Sequence, residues 1–303
     1  VIPLVVVAKA TLVSFVVFAL AVLLRVALAR PRRPYGRGLH RPDPAKHAHR
    51  LHAAQHLGLT GTPKGAAQCV VCPRLDQGQT STCHAHSGVA ALWCRYATKG
   101  APLPWIPSPG LLASCTYADV RAAKYPTNYL PPLSDDGADL SDDAEALKRW
   151  GIDAMGPQIP GRSGASDVPD DVPGVPFAEP NRYAVERASS HIITGEYQIP
   201  VDANAPVTVA LALDAGIPVW LGCFVDSAFE NLGAKDIAQP PNESDPYGGG
   251  HAMYISGYRT NAKGEFEFRV ENSWGTGWAD GGAVWASSAW LKACWMLWPM
   301  AVA

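Results

Sequence analysis

The chain has 303 residues, of which 48% are hydrophobic, enough for a sizeable core and too apolar for intrinsic disorder. Its 28 glycines and 27 prolines follow no every-third-residue repeat, which excludes collagen and points to a loop-rich fold rather than a long helical bundle. The net charge of -2 conceals a basic head, nine Lys/Arg against Asp43 alone in residues 1–50, and an acidic remainder that would repel polyanions, so no nucleic acid partner is expected.

In chain order, residues 1–30 form an apolar segment in which residues 10–24 carry no charge and only Lys9 interrupts the preceding run. This is close to the roughly 20 apolar residues that span a bilayer, so a membrane anchor (a transmembrane helix) or an export signal peptide is expected. Ala27-Leu28-Ala29 suits signal cleavage, whereas Arg25, Arg30, Arg32, Arg33 and Arg37 favour a cytoplasmic flank, and the side of the membrane stays open. Residues 31–66 are rich in Arg, Pro and His without apolar periodicity and read as a linker. Its histidines, His47, His49, His52 and His56, lack a nearby carboxylate or thiol, so no metal is expected there.

Residues 67–195 are expected to form a mainly helical lobe. Val89, Ala90, Leu92, Trp93 and Tyr96 recur at helical spacing, with Ser81 or Thr82 available as N-cap, which places Cys83 at a helix start. A second helix is predicted over 142–150, capped by Ser141, with acids in its first turn and Gly151 past its end. Residues 156–180 hold six prolines and read as a long loop or insertion. Residues 196–303 change character. A helix over 207–215 precedes strands over 219–225, 251–258, 265–271 and 283–286, and in the third strand Phe266, Phe268 and Val270 alternate with charged residues. Helices followed by strands predict an α+β fold.

Seven cysteines, an odd number, leave at least one thiol without an intramolecular partner. Cys69-Val70-Val71-Cys72 has no second such motif to complete a zinc site, so a structural disulfide or two separate thiols is expected. Cys83 is the nucleophile candidate, because a helix N-terminus and a neighbouring imidazolium both lower a thiol's pKa. Acyl transfer on a thiol also needs a base, a group that orients the base, and donors for the oxyanion.

The segment Gln77-Gly78-Gln79-Thr80-Ser81-Thr82-Cys83-His84-Ala85-His86-Ser87 resembles the nucleophile segment of papain-like cysteine peptidases. Gly249-Gly250-His251-Ala252 resembles the histidine strand of that family, and Glu271-Asn272-Ser273-Trp274-Gly275 resembles its Asn-Ser-Trp-Gly segment, in the same order along the chain. The resemblance implies a two-lobed fold, with a helical left lobe (67–195), an antiparallel-sheet right lobe (196–303) and a cleft between them. It implies hydrolysis of peptide or protein substrates without a cofactor. Cys83 would attack, His251 would exchange the proton, Asn272 would orient His251, Gln77 would donate to the oxyanion, and Ser273 and Trp274 would support the site.

Several positions depart from the family pattern. His84 and His86 stand where aromatic residues are usual and would alter the cleft floor. Thr80 replaces a disulfide cysteine, and residues 135–143 show no clear counterpart of the cleft Gly-Gly segment. Cys83 and His251 are 168 residues apart, beyond the roughly 130–150 of the family, and residues 156–180 would hold the excess. No inhibitory pro-domain of the usual kind is visible in residues 34–66, as in a bacterial-looking member, so control by pro-peptide removal is not expected. Acyl transfer to an amine, cell-wall amide cleavage, and a catalytically inactive binding module are the alternatives.

Overall fold

The computed structural model describes residues 35–43, 50–125, 133–155, 180 and 182–302, all within the unit Tyr35–Ala303. The apolar segment expected over 1–30, His47, His49 and nearly all of the proline-rich stretch lie outside these residues. No helix among the described residues is long and apolar enough to cross a membrane.

A two-residue strand β1 (Leu51–His52) runs into the short helix α1 (Ala53–His56), and β2 (Ala66–Gln68) follows. Alanines, Val89, Leu92 and Trp93 then bury most of α2 (Cys83–Thr98), the central helix of the helical lobe. Helix α3 (Pro109–Lys124) begins where the Ser108 side chain accepts from Leu111 N–H and Pro109 takes the first helical position, whose N–H is dispensable. Helix α4 (Leu140–Arg149) starts two residues before the predicted 142 because Asp139, not Ser141, is the cap: Asp139 Oδ1 accepts from Ser141 N–H at 2.8 Å. The shorter α5 (Arg182–Ala188) completes this side.

Beyond β3 (Tyr197–Gln198), which pairs with β1, the chain forms α6 (Ala205–Asp214), β4 (Val219–Val225), α7 (Ser227–Glu230) and β5 (Ile237–Ala238). It ends with β6 (Gly249–Thr260), β7 (Phe266–Glu271), β8 (Ala283–Ser287), α8 (Ser288–Leu291) and β9 (Met296–Pro299). The sheet order is β5-β8-β7-β6-β4-β9, antiparallel except for β5 beside β8. β2 joins the distal half of β6, so a strand that precedes the helical region belongs to the sheet. The fold is therefore α+β. Trp220, Trp290, Tyr258 and Phe268 are among its largest fully buried side chains, and Trp220 Nε1 donates to Ser87 Oγ at 2.8 Å, joining β4 to α2 across the two lobes.

Candidate active site

Cys83 opens α2 and is fully buried. The expected hydroxyl cap is not made: Thr82 occupies the N-cap position, but its hydroxyl is taken by Thr80 Oγ1 at 2.6 Å and His86 Nδ1 at 3.1 Å. The Cys83 sulfur accepts from Gly38 N–H at 3.3 Å and lies within reach of the N–H of Ala252, the residue after His251. Burial pushes this thiol up to about 11 despite the N–H groups of Gly38, Ala252 and His84, so the expected lowering is absent in this arrangement.

His251 lies near the start of β6, directly opposite Cys223 of β4. Its Nε2 is 2.8 Å from Asn272 Oδ1, just past the end of β7. That oxygen can only accept, so Nε2 carries the proton and Nδ1 presents a lone pair, which is buried without a hydrogen-bond partner. The ring stacks on buried Trp274 at 4.6 Å. Burial holds His251 down to about 3, with the Asn272 hydrogen bond opposing and the nearby Arg37 charge reinforcing the shift. Gln77 is held in place through Oε1, which accepts from Ser273 Oγ at 2.6 Å. Its Nε2 donates to the carbonyls of Thr80 at 2.9 Å and Gly36 at 3.2 Å.

Gly36 and Gly38 belong to residues 35–41, which the sequence places in a linker and the structure places across the site as a strap. Gly36 N–H donates to Gly78 O at 2.9 Å, and Leu39 forms a parallel bridge to Ala138, with Ala138 N–H donating to Gly38 O and His40 N–H to Ala138 O, each at 2.9 Å. Leu39 is buried with its side chain against Gly222. Arg37 pairs with Glu230 and donates to Tyr247 O at 2.7 Å, and Tyr35 stacks on Trp274 at 4.5 Å. Only glycine fits at two of these positions, since a Cβ would lie 1.9 Å from Thr80 O at Gly36 and 1.7 Å from Ser81 O at Gly38. The signal for the strap in the sequence is this Gly-x-Gly spacing.

His84 and His86 are both buried; His84 turns into the helical lobe, while His86 lines a small pocket with Asn272 and Ser273. His84 Nδ1 is 2.8 and 2.9 Å from the two oxygens of Asp143, and its Nε2 is 3.0 Å from Tyr117 Oη. Thr116 Oγ1 donates to Asp143 at 2.6 Å, and Asp135 accepts twice from Ser81 N–H, at 2.8 and 3.0 Å. This network fixes the turn before Cys83. Sequence reading missed its acidic members because they lie some 50 to 60 residues from the histidine and serine they hold. His52 and His56 are exposed, and among the described residues no group of three or more His, Cys, Asp or Glu side chains is placed to hold a metal ion.

Solved structures share this architecture. Xylellain, a cysteine protease from Xylella fastidiosa, superposes with a TM-score of 0.69 at 21% identity, over 91% of this chain and 99% of that one. The chain has the papain-like fold. Digestive procathepsin L2 from the larval midgut of Tenebrio molitor matches with a TM-score of 0.63 at 21% identity, over 88% of this chain and 78% of its own. The ragweed pollen cysteine protease Amb a 11, solved in its proform, matches with a TM-score of 0.58 at 17% identity, over 80% and 68%. No protein-family model and no curated protein sequence matches the chain.

Proposed function

We propose that the chain is a papain-like cysteine peptidase captured in a latent state, with its own strap lying in the substrate cleft. The observation that carries this reading is the imidazole of His251, tied through Nε2 to Asn272 and presenting a bare, buried Nδ1 while the Cys83 sulfur lies against the next residue's N–H. The fold it shares with known cysteine proteases supports the same chemistry. In the latent state the pair is a neutral thiol and a neutral imidazole. Departure of the strap admits water and removes Arg37, which permits the thiolate and imidazolium forms.

Cys83 then attacks the carbonyl carbon of a peptide bond. Gln77, released from Gly36 O, donates with the Cys83 backbone N–H to the oxyanion, a contribution of about 3 kcal/mol per donor in comparable sites. Asn272 keeps the His251 ring in line, with Trp274 covering that hydrogen bond and Ser273 holding the Gln77 amide. His251 protonates the leaving amine and then activates the water that frees the acyl-enzyme. Peptides or proteins are the substrates, and the apolar residues 1–30 make the enzyme exported or membrane-anchored.

The test compares variants of the full chain on a broad peptide library. Gly38→Val, which cannot seat the strap, is expected to hydrolyse at least about tenfold faster than wild type, the equivalent of about 1.4 kcal/mol. Gly38→Val combined with Cys83→Ala is expected to be inactive. Hydrolysis by the double variant overturns the reading, and products joined to an amine rather than to water would assign acyl transfer instead.

A further inference from the structure

The chain buries more thiols than the proposed chemistry uses: all seven cysteines are buried and all are in the thiol form. Four of them are arranged as two pairs. Cys69 precedes Val70, whose N–H donates to Thr98 Oγ1 at 2.8 Å, while Cys69 N–H donates to Ser256 O at 2.7 Å. This lays Cys69 over the face of α2 on which Cys94 and Thr98 are one turn apart, and its thiol is within hydrogen-bonding reach of both. The second pair lies in the sheet. Gly222 of β4 is in register with Met296 of β9, and Trp295 N–H donates to Gly222 O at 2.7 Å, which brings the loop before β9 beside Cys223. The thiols of Cys223 and Cys294 are in hydrogen-bonding reach of each other.

The remaining three thiols have other surroundings. The Cys83 sulfur is met by the N–H groups of Gly38 and Ala252, and the nearby side-chain charge is Asp143. Cys72 faces Arg74 and Glu271 and lies near Cys94 without the hydrogen bond that Cys69 makes to it, and Cys115 faces Asp119 and Arg149. We propose that Cys69 with Cys94, and Cys223 with Cys294, are two sites of oxidative modification that close as intramolecular disulfides and leave Cys72, Cys83 and Cys115 as thiols. The co-reactant is a disulfide donor, such as oxidised glutathione or a dithiol-disulfide oxidoreductase. A thiolate of each pair attacks the donor's S–S bond and releases one donor thiol, its partner thiolate attacks the protein sulfur of the mixed disulfide and releases the second, and the donor carries away the two electrons and two protons as two thiols.

The placement gives the bridges a function. One ties the segment leading to Gln77 onto the helix that Cys83 begins. The other ties β4, at the residue opposite His251, to the C-terminal strand. Both would brace the two walls of the site while sparing its nucleophile, and the inference stands whether or not the chain is a peptidase.

The experiment uses the full chain, equilibrated with a mixture of reduced and oxidised glutathione, unfolded in iodoacetamide and mapped by mass spectrometry. The expected result is three alkylated cysteines out of seven and cross-linked peptides joining 69 to 94 and 223 to 294, with the protein four hydrogens lighter than its reduced form. Cys294→Ser should add Cys223 to the three alkylated cysteines and keep the other bridge. Alkylation of all seven, or a link between any other two cysteines, Cys69 and Cys72 above all, overturns the proposal, and a single bridge overturns the assignment of the pair that fails to form. The readout needs no substrate, so its failure is distinct from a failure of the peptidase reading.

Discussion

Burial keeps both members of the proposed catalytic pair uncharged in the strapped chain, Cys83 through a raised pKa and His251 through one held down to about 3. Histidine in an unfolded chain titrates near about 6.5. Between these values the unfolded chain takes up a proton that the folded one excludes, so the folded form has its full stability above the higher value and loses it as pH falls toward the lower. His86, held down to about 4 by burial, acts in the same direction. Calorimetry from about pH 7 to about pH 4.5 should therefore show a falling Tm, and a flat profile contradicts the buried neutral imidazoles. The contact of His251 with Asn272 was legible because each residue sits in a short, recognisable motif. The partner of His84 was not, since nothing local marks Asp143 as the acid that reaches it.

The starts of helices and strands depended on single side chains. Strand 219–225 was legible to the residue, because its buried run is bounded by Pro218 and by Asp226, whose carboxylate accepts from Phe229 N–H and caps the next turn. Helix α3 escaped notice because Pro109-Gly110 reads as a turn, although Pro109 is placed to start a helix once Ser108 caps it. Beyond its Gly-x-Gly spacing the strap left little to read, because much of its grip is through backbone N–H and C=O groups, which every residue carries. Asp139 connects two of these features, capping α4 and also accepting from Asp43 N–H at 3.1 Å, just beyond the strap. Asp139→Ala is expected to cost about 1 kcal/mol, within a range of roughly 0.5–2, measured as a lowered midpoint in urea with an unchanged slope.

At the scale of the molecule, the sheet draws strands from both sides of the helical lobe, β2 before it and β4 to β9 after it, so the sheet lobe is not a contiguous stretch of chain. The sequence boundary at 196 could not show this, because β2 is three residues long and carries no alternation to read. The strap belongs to the same polypeptide as the groove it fills. A segment tethered in this way meets its target at an effective concentration on the order of millimolar, whatever the amount of protein in the tube. Specific activity of the wild type should therefore stay constant through about a hundredfold dilution; an increase would mean that the blocking segment is lent by a neighbouring copy. A lock carried on its own door is not loosened by thinning the crowd, and only severing the tether, or a competitor stronger than the tether, sets the thiol free.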